Sequence, residues 1–252
     1  SKRERIQQAI RVAPGDGLRL SDIDQVWVYS RIDLIWGGID LDTYLLLKDG
    51  TAYKNCVIPP DELNIEISKQ LEPKKWSRWR KHFGTYQIRD EKKSEWIDLK
   101  GGPGGMVTDA SQLVGKYINA GGSEFRGSWK KTITFLENQR FELSSFFMND
   151  NSVLGGGDRA PGGEALIPLV GVVGSSDKYG SSGASSVIGD NIAGGGSSSK
   201  KDGSKNTGKF QVSNYTITME HDNGLKLNKL FLYENLGDKK SIVLGNRLYY
   251  LD

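Results

Sequence analysis

Cysteine is nearly absent: Cys56 is the only one in 252 residues. That excludes an intramolecular disulfide and any metal site built from several cysteines, so stability must come from packing. The compartment stays open, because a secreted protein need not carry disulfides. Histidine is equally scarce, and His82, in a basic turn, and His221, on a hairpin shoulder beside Glu220 and Asp222, read as exposed structural residues. No metal site is expected, because neither has a partner histidine and a carboxylate in a ligand-like spacing. No run approaches the ~18 apolar residues of a membrane helix, and no signal peptide is visible at Ser1. A chain that starts without Met is expected to be a processed mature form, periplasmic or secreted, or an excised domain.

Glycine is abundant, with 32 residues, and points to turns and an extended loop rather than long helices. The 37% hydrophobic and 26% charged residues are ordinary for a soluble protein, and a net charge of +3 neither requires nor excludes an anionic partner. The length suits one large β domain or two modest ones.

A pattern occurs twice. Thr43–Tyr53 reads as a hairpin around Asp49-Gly50 and is followed by Gly84-Thr85-Tyr86-Gln87-Ile88, while Lys131–Phe141 turns at Asn138 and is followed by Gly208-Lys209-Phe210-Gln211-Val212. Gly50 and Gly84 are 34 positions apart, Asn138 and Gly208 are 70 apart, and a Gly/Ser-rich stretch fills the difference. Two related antiparallel units and one insertion are the expected plan. Residues 1–20 form an N-terminal arm, 21–105 a first β unit, and 106–252 a second β unit with its insertion at 155–207. From Gly155 to Gly208, 15 of 54 residues are glycine and 10 are serine, a composition expected of a flexible loop. Leu166–Val173 in its middle is apolar enough to rest on a barrel wall or mouth.

The fold class is all-β with one short helix. Leu63, Ile67 and Leu71 repeat at steps of four within Asp61–Leu71, between Pro59-Pro60 and Pro73. Trp76 and Trp79 follow at helical spacing, Gly84–Leu99 is a hairpin around Asp90–Ser94, and Gly101–Gly105 is a linker. In the second unit Ile133 and Phe135 alternate with Thr132 and Thr134, and Tyr215, Ile217 and Met219 alternate with Thr216, Thr218 and Glu220. Period two predicts the first set inward and the second outward.

Candidate chemistry is sparse. Cys56 reads as a small buried residue rather than a nucleophile, and the pairs Asp22/Asp24 and Asp40/Asp42 as solvated turns. Gly155–Gly157 and Gly194–Gly196 lack the Gly-Lys-Ser/Thr ending of a phosphate loop, and Gly180-Ser181-Ser182-Gly183 is one residue short of a nucleophile elbow. No catalytic residue and no cofactor is assigned. The segment 74–82 is the sharpest alternative: Lys74, Lys75, Trp76, Arg78, Trp79, Arg80 and Lys81 interleave charge with rings, as a polyanion or nucleic-acid surface requires. Against it stands core packing, with both tryptophans on one helical face.

Gly115-Lys116-Tyr117 resembles the Gly-x-Trp that opens the first strand of lipocalins, and Gly245-Asn246-Arg247-Leu248-Tyr249 resembles the closing strand of bacterial lipocalin-like domains. The helix, the Gly-rich insertion and the C-terminal hairpin are similar to those of a group of uncharacterised bacterial lipocalin-like proteins, a similarity that implies no function. Tyr117 departs from the family's tryptophan, and the first unit lacks the motif, so the resemblance covers about half the chain. It implies a calycin-type antiparallel barrel binding a small apolar molecule, with Tyr117, Trp129, Phe135, Tyr215, Ile217 and Tyr249 as its lining. The expected function is therefore non-catalytic: ligand binding in a barrel, or a structural role with another protein as partner. Nucleic acid is the less favoured partner. A hydrolase or lyase whose residues converge only in three dimensions is the remaining alternative.

Overall fold

The computed structural model describes residues 2–33, 37–123, 127–148 and 206–252. Residues 155–205 of the Gly/Ser-rich stretch, Leu166–Val173 among them, lie outside the described residues, whereas 206–208 at its end are described. The protein is all-β, with two antiparallel sheets and two helices among the described residues. A seven-stranded curled sheet is formed by strands between Ile23 and Pro103, and an eight-stranded closed barrel by strands between Gly115 and Leu251.

In the first sheet, β1 (Ile23–Ile32) pairs with β2 (Ile39–Leu47), which turns at Asp49-Gly50 into β3 (Thr51–Lys54). β4 (Trp76–His82), β5 (Thr85–Asp90) and β6 (Glu95–Asp98) continue the meander. Flat strands lie ~4.8 Å apart, so β1 and β5 of an uncurled sheet would be far out of contact. Yet the Trp27 and Tyr86 rings meet at 4.6 Å, and the sheet is therefore curled around Trp27, Leu46, Ala52, Trp79, Tyr86 and Ile88.

The other face carries Val26, Val28, Leu45, Leu47 and Tyr53, and is covered by α2 (Ile65–Leu71), by the segment after α1 (Lys2–Ala9) and by the barrel. The predicted helix begins later than expected. Pro60–Glu62 is a 3₁₀ turn, and Asn64 caps α2 by accepting from the Ile67 N–H at 3.0 Å. The expected helical turn at Trp76 and Trp79 is strand β4 instead, so the two rings lie on opposite faces of the sheet.

The glycine linker is a structural element. β7 (Gly102–Pro103) pairs with β1, Gly104 N–H donates to Val26 O at 2.8 Å, and Gly105 exchanges both backbone hydrogen bonds with Tyr233 of the barrel. A side chain at Gly104 would place its Cβ 2.3 Å from Leu232 Cδ1 and 3.1 Å from Tyr233 O, so Leu232 would have to shift for the strap to lie between sheet and barrel.

The barrel comprises β8 (Gly115–Ser123), β9 (Gly127–Phe135), β10 (Arg140–Met148), β11 (Thr207–Ser213), β12 (Thr216–His221), β13 (Lys226–Tyr233), β14 (Ser241–Leu244) and β15 (Arg247–Leu251). Gly245-Asn246 is the turn between β14 and β15, so the segment that resembles a closing strand is that turn and the start of β15. Period two assigns faces correctly: Ile133, Phe135, Ile217 and Met219 are inside with Phe210, Phe231 and Tyr249, while Thr134, Thr218 and Glu220 are partly or fully exposed. Tyr215 is the exception. It occupies the two-residue turn after Asn214, whose φ is +54°, and its ring joins the core shared with the first sheet. Thr132 and Thr216 face outward yet are buried; Thr216 donates to Asp61 Oδ1 across the sheet–barrel interface at 2.8 Å.

Sheet and barrel share one core. The outward residues Leu230, Leu232, Val243 and Leu248 of the barrel wall join Val26, Val28, Leu45 and Leu63. Glu62, buried at this seam, accepts from Asn228 Nδ2 at 2.5 Å and pairs with Arg11 at 3.1 Å. Ser30 donates to Glu234 at 2.5 Å.

Candidate functional site

The two ends of the barrel differ. At the base stand the turns β9–β10, β11–β12 and β13–β14, and the 3₁₀ turn Ala110–Leu113 leads in, with Val107 and Leu113 fully buried among the inward side chains. The opposite end, the mouth, is where β9, β13 and β15 begin, and it carries the β12–β13 turn and the Gly245-Asn246 turn.

The base is filled. Phe135 lies 4.7 Å from Phe210, 5.9 Å from Tyr117 and 6.1 Å from Phe231, ring centre to ring centre, in tilted or edge-on arrangements. Gly208 makes room for this layer, since a Cβ there would meet Glu220 O at 2.2 Å and the Phe141 ring at 2.8 Å. Eight strands leave a lumen just wide enough for side chains or one small ligand, and here side chains occupy the lower part.

Of the six lining residues expected from the resemblance, Tyr117, Phe135, Ile217 and Tyr249 come together inside the barrel. Trp129 lies on the same face of β9, toward the mouth and half-buried, with Gly38 and Gly121 of neighbouring segments against its ring. Tyr215 points away from the lumen. An open cleft of about 270 Å³ lies outside the wall, between Ile39, Ile118, Ala120, Leu248 and Tyr250.

Three cations line the mouth, and sequence reasoning missed all of them. Lys131 shares its strand face with Trp129 and Ile133, and its Nζ sits 6.0 Å from the centre of the Trp129 ring. Lys229 is paired directly with inward Ile217, and Arg247 with inward Leu244. Each lies two residues nearer the mouth than a buried inward residue of its own strand: Ile133, Phe231 and Tyr249. Burial, reinforced by Arg247 and Lys229, holds the Lys131 ammonium down at about 8, and burial with Arg247 also lowers Lys229. Tyr249 is raised by burial, with Arg247 pulling the other way. Extending the Ile133/Phe135 alternation by two residues would have placed Lys131 inward. On β13 the unbroken apolar run Leu230–Tyr233 hides the period that assigns Lys229.

Elsewhere the candidates resolve into structure. In segment 74–82, Trp76 Nε1 donates to Ser68 Oγ at 3.0 Å on one face of β4, and Trp79 Nε1 donates to Leu47 O at 2.7 Å on the other. Lys75 pairs with Glu72 at 2.8 Å, Arg80 lies 4.3 Å over the Trp96 ring, and Lys81 sits 5.2 Å over Tyr86. Lys74 and Arg78 are exposed. The basic and aromatic residues are thus divided between two faces rather than gathered on one.

Arg31 bridges Asp40 at 3.2 Å and Asp42 at 3.0 Å along β1 and β2, so these carboxylates form a strand ion-pair ladder, not a turn. Cys56 is buried, its thiol pushed up to about 12 by burial. His82 is exposed, but His221 is buried inside the barrel, edge-on to Phe141 at 5.0 Å, because period two continues from Met219. Among the described residues no group of three or more His, Cys, Asp or Glu is placed to hold a metal, and no helix is long and apolar enough to cross a membrane.

A scan against protein-family models, a search of curated proteins and a search of solved structures each find no match. The closed eight-stranded antiparallel barrel is consistent with a lipocalin-like barrel, and that likeness rests on architecture and the short motifs at Gly115 and Gly245.

Proposed function

We propose that this chain is a non-catalytic, lipocalin-like binding protein that admits a small, largely apolar ligand through the mouth of its barrel. The graded lumen carries the reading: a packed aromatic base gives way upward to Ile133, Ile217 and Tyr249 and then to half-buried Trp129. Concave, mainly apolar sites with a few polar groups are where small ligands bind, and the mouths of barrels are among their usual places.

The test is native mass spectrometry of protein purified without denaturation, together with titration of the neutral fluorophore N-phenyl-1-naphthylamine. The expected result is a co-purifying small molecule, or fluorophore binding that weakens in Trp129→Ala. Protein that carries no small molecule and leaves the fluorophore's emission unchanged would contradict the reading. Polyanion binding through 74–82 is the competing reading, favoured by exposed Lys74 and Arg78. Retention on heparin that is lost in Lys74→Gln/Arg78→Gln would support it.

A further inference from the structure

We infer that the mouth of the barrel is an oxyanion site, and that the ligand is an amphipathic anion whose carboxylate or phosphate head is held by Lys131, Lys229 and Arg247. The inference rests on the binding role proposed above and specifies the ligand's class.

The eight barrel strands hold two carboxylates among the described residues, Glu142 and Glu220, and both are exposed on the outer wall, Glu142 opposite Thr134 and Glu220 opposite Lys226. Every Asp and Glu is thus missing from the described inward face, while three cations stand on it. Among the described residues none of the three is ion-paired.

This arrangement is costly for the unliganded protein. A partly buried ammonium loses hydration, and like charges brought together repel, so a barrel selected only for stability would place an acid or an apolar residue at one of these positions. On the outer surface two of the barrel's cations are paired, Lys116 with Asp252 at 2.6 Å and Arg140 with Asp222 at 2.5 Å. An oxyanion entering the mouth would supply the missing charge, accepting from two ammonium groups and a guanidinium in charge-assisted hydrogen bonds. The groups facing it are Lys131 from β9, Lys229 from β13, and Arg247 with Tyr249 from β15. The rows directly beside Lys131 are neutral, Asn119 on β8 and Ser145 on β10. Asn119 is itself buried, with its Nδ2 donating to Leu248 O at 2.8 Å and its Oδ1 unpartnered.

Isothermal titration with four probes of one chain length tests this: dodecanoate, dodecyl phosphate, dodecanol and dodecyltrimethylammonium. Inorganic phosphate serves as the head group alone. The two anions are expected to bind at least about tenfold more tightly than dodecanol, and the cation not at all. Lys131→Gln/Lys229→Gln is expected to erase that preference while dodecanol affinity stays within about twofold. Dodecanoate affinity is also expected to fall as pH rises past about 8 and Lys131 loses its proton. Arg247→Lys, which keeps the charge, provides a second variant if the double substitution does not fold, and it should retain the preference for anions over dodecanol. The stronger of dodecanoate and dodecyl phosphate identifies the head. Equal affinity for dodecanol and the anions would overturn the oxyanion site and leave the apolar-ligand reading standing. Binding of inorganic phosphate, lost in the double variant, with no gain from an alkyl chain would do the reverse. No binding by any probe would overturn both.

Discussion

Phe135 shows how a single residue decides what the lumen is. Its ring touches three others in a layer that leaves no room for a ligand at the base. Phe135→Ala is expected to destabilise the protein by about 3–5 kcal/mol in denaturant titration. A loss below about 1 kcal/mol would mean that the base is loosely filled and open to ligand. Lys131 makes the opposite contribution. Its folded pKa, about 8, lies below the ordinary lysine value of 10.5, so the unfolded chain binds the extra proton in the interval between. Stability of the unliganded protein therefore rises with pH from about 8 toward 10, and Lys131→Met should flatten that slope in thermal melts. A slope unchanged in the variant would place the charge elsewhere. Of these two residues the sequence made one legible: alternation marked Phe135 as inward, but it was not carried on to a lysine, because a charged side chain is ordinarily read as solvated.

At the scale of elements, β4 and β7 are where pattern reading gave way to tertiary context. Lys74–His82 contains tryptophans three apart, a helical spacing, yet pairing with β3 and β5 imposes a strand and sends Trp76 and Trp79 to opposite faces. Each ring is half-buried and hydrogen-bonded, so alanine at either position should cost about 2–3 kcal/mol, less than for a fully buried ring. Heparin affinity measured on the folded fraction should not change. The glycines of β7 read as a flexible linker because their freedom is visible in sequence, while the need for close approach is not. Gly104→Val should cost at least about 1–3 kcal/mol by forcing Leu232 and the strap apart, and should speed exchange of the Gly105 and Tyr233 amides. Protected amides in that variant would show that the strap tolerates a side chain.

Among the described residues one buried cluster joins the curled sheet to the outer wall of the barrel, across the two units read in the sequence. Hairpins, most strand positions and the barrel's alternation were legible because each is local. The shared core was not, since Leu230, Leu232, Val243 and Leu248 lie in runs apolar on both faces, and such runs hide which face meets the barrel lumen and which the sheet. The repeat suggested by Gly84 and Gly208 also meets a difference here. Gly84 forms the β4–β5 turn with φ +84°, whereas Gly208 lies within β11 under the Phe141 ring. Because one cluster spans sheet and barrel and Glu62 bonds across the seam, calorimetry should give a single transition, and two resolved transitions would mean that sheet and barrel unfold separately.

Whether the barrel mouth binds ligand is decided by amide and indole chemical-shift mapping with dodecanoate. Binding there gives saturable shifts at the Trp129 indole and at Lys131, Lys229, Arg247 and Tyr249, with Trp76, Trp79 and Trp96 unmoved. Shifts gathered on the strands from Trp76 to Asp98, or none at the mouth at saturating ligand, would contradict it.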